Sequence, residues 1–255
     1  MMISFNREYI VPNIHNKQQQ VRYCTALVQQ VPLTHHIRSP KQYNYNYEYY
    51  RYSHTGFGQH GHADMEIITY VVHGGLYHKD SMGTKETLGR GSIQFMTAGR
   101  GVRHEEYNHE DRPLRFIQTW IVPRSRGLEP NYGSSHGCED RKNQLQHLVS
   151  DVKNNGAETP VKINQNVDAF ATELDLGNKV RMDLPEGRMA YLLCIEGGVT
   201  VNDQKMDKYD GCEITGTGGT LEIEATDVEE TETGKVAHIL MFTMPAEEGA
   251  GRRDF

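Results

Sequence analysis

The chain is predicted to be all-β and to fold as two antiparallel barrels with a few short helices, and three observations predict it. Short apolar or alternating runs recur along the 255 residues, at 66–72, 76–79, 92–96, 115–122, 191–195 and 237–244, whereas helix-period stretches are scarce. Its 25 glycines fall between these runs (Gly74-Gly75, Gly89, Gly91, Gly99, Gly101, Gly197-Gly198, Gly218-Gly219), at the turn spacing of a sandwich or barrel. A coil-like stretch over 123–159, carrying Gly127, Pro130, Gly133, Gly137 and Asn154-Asn155-Gly156, separates two strand-rich halves. The expected organisation is an N-terminal unit over 1–135, a linker over 136–159 with a short helix near 144–149, and a C-terminal unit over 160–255.

Residues 1–17 mix Asn6, Arg7, Glu8, His15 and Asn16 with scattered apolar residues and lack the continuous apolar region of a secretory signal. An intracellular, cytoplasmic address is expected, with a nuclear one left open. Residues 43–52 place Tyr43, Tyr45, Tyr47 and Tyr49 on one face, which predicts a half-buried strand. The acidic run Glu222, Glu224, Asp227, Glu229, Glu230, Glu232 predicts a solvated edge or loop that blocks strand-to-strand aggregation. Cys24, Cys138, Cys194 and Cys212 lie too far apart for a zinc knuckle or a disulfide scaffold, so reduced structural thiols are expected. A net charge of -7 without any Lys/Arg block argues against nucleic acid and anionic membranes as partners. The longest apolar stretches, at 67–72 and 239–242, fall far short of the ~20 residues that span a bilayer. A monomer is the default, since two barrels can bury their apolar faces against each other.

Chemistry concentrates in the first half, where seven of the 13 histidines lie between His54 and His109. In His60-Gly61-His62 strand alternation sends both imidazoles to one face, and in His104-Glu105-Glu106 it pairs His104 with Glu106. Two strands can thus supply three imidazoles and a carboxylate to one ion. That set suits Fe, Mn, Co, Ni, Cu or Zn rather than Mg or Ca, and four ligands on a six-coordinate ion leave room for a guest. Glu66 shares the parity of His60 and His62, so spacing leaves open whether Glu66 or Glu106 is the carboxylate. His73 and His78 flank a turn and read as hydrogen-bonded turn or surface residues; His54 and His109 either line the approach or face solvent. Phe57, Met65, Met96 and Trp120 are either pocket wall or ordinary core.

Residues 56–71 (Gly-Phe-Gly-Gln-His-Gly-His-Ala-Asp-Met-Glu-Ile-Ile-Thr-Tyr-Val), His78-Lys79-Asp80-Ser81-Met82-Gly83 and residues 96–106 (Met-Thr-Ala-Gly-Arg-Gly-Val-Arg-His-Glu-Glu) together resemble the pirin family of the cupin superfamily, in order and at family spacing. The resemblance implies a bicupin: two facing barrels of the double-stranded β-helix type, with one divalent transition metal, usually Fe(II), held in the first by His60, His62, His104 and Glu106. It makes Glu66 a neighbour that orients a ligand, and it leaves the second barrel, which has no His-x-His and a solitary His238, metal-free. Two departures are expected to matter: residues 1–50 do not follow the family pattern, which alters the rim, and Gly61 stands where proline is frequent, which loosens the backbone between two ligands without removing either. Pirin-like proteins are associated with quercetin 2,3-dioxygenase activity, which implies a small aromatic substrate, O2, loss of carbon monoxide on ring opening, and Glu106 as general base. The family also implies an alternative, a non-enzymatic iron-based redox sensor that binds transcription factors.

Overall fold

The computed structural model describes residues 19–25, 54–137, 141–216 and 218–246. The tyrosine-rich segment 43–52, residues 1–17, Cys138 and the side chain of Cys24 lie outside the described residues. Every named element in the described residues is a strand; of the expected short helices, helical (3-10) geometry appears there at Arg141. The first nine are β1 Gln19–Thr25, β2 Thr55–His62, β3 Glu66–His73, β4 Leu76–Asp80, β5 Lys85–Leu88, β6 Ile93–Thr97, β7 Val102–Asn108, β8 Arg115–Ile121 and β9 Asn131–Ser135. There follow β10 Gln146–Asp151, β11 Val161–Ile163, β12 Asp168–Leu174, β13 Lys179–Leu184, β14 Arg188–Glu196 and β15 Gly198–Val201. The last five are β16 Gln204–Met206, β17 Asp210–Gly216, β18 Gly219–Asp227, β19 Glu229–Thr231 and β20 Gly234–Pro245. No helix among the described residues is long and apolar enough to cross a membrane.

The strands form two compact units, with the division after Gly137. The first holds two four-stranded sheets, ordered β2-β7-β4-β5 and β8-β3-β6-β9. The chain alternates between them, so each sheet collects strands distant in sequence. Apolar residues of both sheets meet inside: Val71 and Phe116 pack with Leu76 and Leu88, and Ile67 and Met96 with Val102. Each such fully buried aliphatic side chain contributes ~1.5–3 kcal/mol. The turn into β7 depends on Gly99, which has φ +45° and whose absent Cβ would lie 2.0 Å from the Leu128 carbonyl oxygen. The glycine-dense Gly99-Arg100-Gly101 frame therefore serves a left-handed turn against a second loop.

The second unit holds an eight-stranded sheet, β1-β17-β14-β20-β12-β10-β11 with β19 attached to β20, and a four-stranded sheet β13-β18-β15-β16. Its core, including Leu174, Leu192, Ile214, Ile223 and Ile239, draws on both sheets. Strand β1, from the N-terminal end of the chain, belongs to this unit through antiparallel pairing with β17.

Three expectations are corrected. The stretch 123–159 is not coil throughout: it carries β9, on the edge of β6, and β10. The helix expected near 144–149 is strand β10, because Leu148, Val149 and Ser150 are all buried between β11 and β12, and pairing on both sides overrides the local pattern. The acidic run is an edge and turn only in part: Glu229 and Glu230 lie on β19, which is attached to β20, and Glu232 in the turn after it, but Glu222, Glu224 and Asp227 lie on β18, which is paired on both sides, with β13 and β15. The alternation of β18 buries Leu221, Ile223 and Ala225, while Glu222 and Glu224 face outward toward Lys179, with Arg181 on Glu222 as well. Cys194 and Cys212 are buried free thiols, each pushed up to about 12 by burial, which keeps them unreactive.

Candidate metal centre

The candidate centre is built on the β2-β7-β4-β5 sheet. Strand β7 alternates as the sequence predicts: Val102, His104, Glu106 and Asn108 are buried and Arg103 is exposed. Strand β2 runs antiparallel beside it, with His60 opposite His104. Phe57 stands opposite Glu106, so three steps along β2 match two along β7. One extra residue is inserted at Gly58-Gln59, a β-bulge. Residues opposite one another in paired strands share a face; without the bulge, position 59 rather than His60 would meet His104. The Gly58 carbonyl accepts the His60 Nδ1 proton at 2.9 Å, leaving the lone pair on His60 Nε2. Gly56 lets β2 come close, since a Cβ there would meet the Glu106 carbonyl oxygen at 2.3 Å.

His60 Nε2 and His104 Nε2 lie 3.0 Å apart, and the His62 ring sits 4.8 and 4.9 Å from the His60 and His104 rings. One ring nitrogen from each of the three falls within 4.8 Å of the others. Nitrogens ~2.0–2.1 Å from a common ion and at right angles about it are roughly 3 Å apart, so this spacing suits a shared ion. Burial, then the neighbouring His60, His62 and His78, push His104 down to about 3. Burial and then His60 also lower His62. These imidazoles are neutral at pH 7, the form a metal takes.

Glu106 falls with His104 and His78 in a second donor group, one ligand atom from each lying within 4.8 Å of the others. Both of its oxygens are clamped. Gln94 Nε2 donates to Oε1 and Gln118 Nε2 to Oε2, each at 3.0 Å. Trp120 Nε1 donates to Gln118 Oε1 at 2.9 Å, which holds that amide the right way round, while Tyr132 OH lies 2.6 Å from Glu86 Oε1 and 2.8 Å from Gln94 Oε1. Burial raises Glu106 to about 7 even though the two amide bonds pull the other way. A carboxyl poised there can take and return a proton near neutral pH.

His78 corrects the sequence reading. It is neither turn nor surface: Leu76, His78 and Asp80 are the buried alternate residues of β4, and His78 stands opposite Glu106 with Asp80 opposite His104. Burial lowers His78, against the upward pull of Asp80. Burial pushes Asp80 up, but bonds from His78, Thr84 and Met82 outweigh it and hold the carboxyl below its usual range. Glu66, wholly buried in β3, accepts from Thr97 Oγ1 at 2.9 Å and is in neither donor group. His54 is exposed, 3.6 Å from Asp111; His109 is exposed and packs on Tyr77 and Tyr107. Phe57 and Met65 pack against core clusters and Met96 is core, whereas Trp120 is 45% exposed with its ring edge-on to His62 at 4.9 Å. Sequence reasoning missed His78, Gln94, Gln118 and Tyr132; the alternation of Leu76, His78 and Asp80 was the available signal for the first.

The family described as pirin matches residues 15–121, and the one described as quercetinase C-terminal cupin domain matches residues 148–244. A pirin-like protein of Caulobacter vibrioides is 37% identical over 161 residues, covering 63% of this chain and 68% of that protein. The chain belongs to the pirin family. It is accordingly a bicupin, and the match from residue 15 reaches into the stretch that the sequence reading set apart from the family. Quercetin 2,3-dioxygenase of Escherichia coli is 34% identical to this pirin over 160 residues, with 62% of this chain and 67% of that one covered. The crystal structure of bacterial pirin YhhW in complex with nickel(II), also from Escherichia coli, superposes with a TM-score of 0.64 at 25% identity, covering 92% of this chain and 95% of that one. Ring nitrogens of His60 and His104 at 3.0 Å, with a buried imidazole nitrogen of His104 left without a hydrogen-bond partner, are a donor set that fits such a metal.

Proposed function

We propose that this pirin is a metal-dependent dioxygenase acting on a planar phenolic substrate of the flavonol class, such as quercetin. The observation that carries the reading is the convergence of the His60, His62 and His104 nitrogens beside an exposed indole and a clamped, buried carboxyl. His60, His62, His104 and Glu106 would hold the metal, which we take to be Fe(II), with Mn, Ni, Co, Cu or Zn compatible with the same donors. When bound, that ion supplies Lewis-acid and redox chemistry toward the substrate and O2.

The rest falls to the chain. Trp120, exposed and edge-on to His62, offers an apolar face on which a flat ring can stack. Glu106 Oε1 and Oε2 each keep a free lone pair beyond the amide bond they accept, so the carboxylate can take the proton of a substrate hydroxyl. Gln94 and Gln118 keep the group from turning away, and burial keeps its affinity for that proton near neutrality. In this reading the metal chemistry belongs to the N-terminal cupin and the C-terminal cupin holds no metal. Names of the relatives, one a quercetin 2,3-dioxygenase, support the substrate class.

The test is oxygen uptake by metal-loaded protein with quercetin, with carbon monoxide as the second product measured. Turnover that falls at least about a hundredfold in His60→Ala and His104→Ala is expected. Absent turnover, or turnover unchanged in both variants, rejects the reading.

A further inference from the structure

His78 holds a lone pair that no described residue satisfies. Its Nε2 lies 3.1 Å from Asp80 Oδ2, and both side chains are wholly enclosed. Asp80 Oδ1 accepts the backbone N–H groups of Met82 and Thr84 at 2.9 and 3.0 Å, which anchors the carboxylate. A carboxylate can only accept from the ring, so the proton of His78 sits on Nε2 and the lone pair on Nδ1. That Nδ1 is buried without a hydrogen-bond partner. An imidazole whose one N–H is given to an anchored carboxylate while its other nitrogen stands bare is arranged as metal-ligating histidines are. The ring is further fixed by stacking on Tyr132 at 4.5 Å and 21°.

The ring that carries this nitrogen belongs to a buried group of donors. One ligand atom each of His78, His104 and Glu106 lies within 4.8 Å of the other two, and all three residues are buried. We propose that His78, His104 and Glu106 form an inner seat for a divalent transition metal, sharing His104 and Glu106 with the outer seat of His60, His62, His104 and Glu106. Two nitrogens and a carboxylate oxygen select the same class of ion as the outer seat. The inference rests on the metal reading above and adds to it a second position and a ligand, His78.

The full chain, stripped of metal, is titrated with Ni(II) by calorimetry and with Co(II) by visible absorption, without any organic substrate. His62→Ala removes a ligand of the outer seat alone, and His78→Gln one of the inner seat alone. The expected result is that His62→Ala still binds one ion, with a Co(II) spectrum displaced from that of the unaltered protein. The double variant should then bind at least about tenfold more weakly than His62→Ala. Equal affinity and equal spectra for His62→Ala and the double variant overturn the inner seat while leaving the outer one standing. Failure of the unaltered protein to bind either ion overturns the metal reading itself. If the double variant does not fold, the nitrogen NMR resonance of His78 Nδ1 in Zn(II)-titrated His62→Ala decides: a coordination shift supports the seat, and its absence overturns it.

Discussion

In the C-terminal unit the buried ionisable side chains close on one another. Arg141 Nε donates to Glu173 Oε1 at 2.9 Å, Thr233 Oγ1 to Glu173 Oε2 at 2.6 Å, and His238 Nδ1 lies 3.0 Å from Glu196 Oε2 and 4.0 Å from Glu173 Oε1. In the N-terminal unit four imidazoles and a carboxyl are gathered: His104 Nε2 and His60 Nε2 share one hydrogen bond at 3.0 Å, and His78 Nδ1 and His104 Nδ1 have no hydrogen-bond partner. Both units bury polar groups in the same kind of fold, yet one pairs opposite charges from within and the other gathers imidazoles and leaves two of their nitrogens without a partner. A buried cluster that neutralises itself is structural by composition; a buried cluster of acceptors implies a cation from outside.

Breaking the self-satisfied cluster should have the largest effect on the protein. Arg141→Ala leaves Glu173 buried and short of its cation, and is expected to destabilise the chain by ~3–5 kcal/mol in chemical denaturation while leaving the affinity of the folded protein for Ni(II) unchanged. The converse change in the other unit is His104→Ala, which removes the residue common to both donor groups. Ni(II) affinity measured by calorimetry should fall by about a hundredfold or more, with folding intact in the metal-free state.

Smaller changes sharpen the contrast. Gln118→Leu removes one clamp from Glu106 and the acceptor for Trp120, and should weaken metal binding by ~10–100-fold, read as a displaced Ni(II) titration curve. Arg181→Ala, on the outer face of β13, breaks an exposed pair with Glu222 and should change stability by no more than about 0.5 kcal/mol in the same denaturation assay. A loss comparable to that of Arg141→Ala would mean that outward-facing pairs in this unit carry weight that their exposure denies them.

Much of the site was legible before any coordinates. The period-2 spacing of His104 and Glu106 placed both on the buried face of β7, and that of His60 and His62 placed them together on β2. The fold class followed from glycine-bounded runs. The helix expected near 144–149 failed because β11 and β12 flank that segment on both sides, a pairing no local pattern reveals. The β18 part of the acidic run was taken for an edge because charge announces solvent but does not say whether a strand's two backbone sides are paired.

What the sequence determined by itself is which side chains share a strand face, because alternation is a property of the extended backbone and needs no partner. What only the tertiary structure decided is which faces meet and in what register. The bulge between Phe57 and His60 shifts β2 by one residue against β7 and thereby sets His60 opposite His104. Pairing of β4 with β7 brings His78 to Glu106, and β6 and β8, from the other sheet, deliver Gln94 and Gln118 to the two oxygens of that carboxylate. Register depends on hydrogen bonds between strands remote in the chain, so it is decided by the packing of the whole unit and not by any one segment.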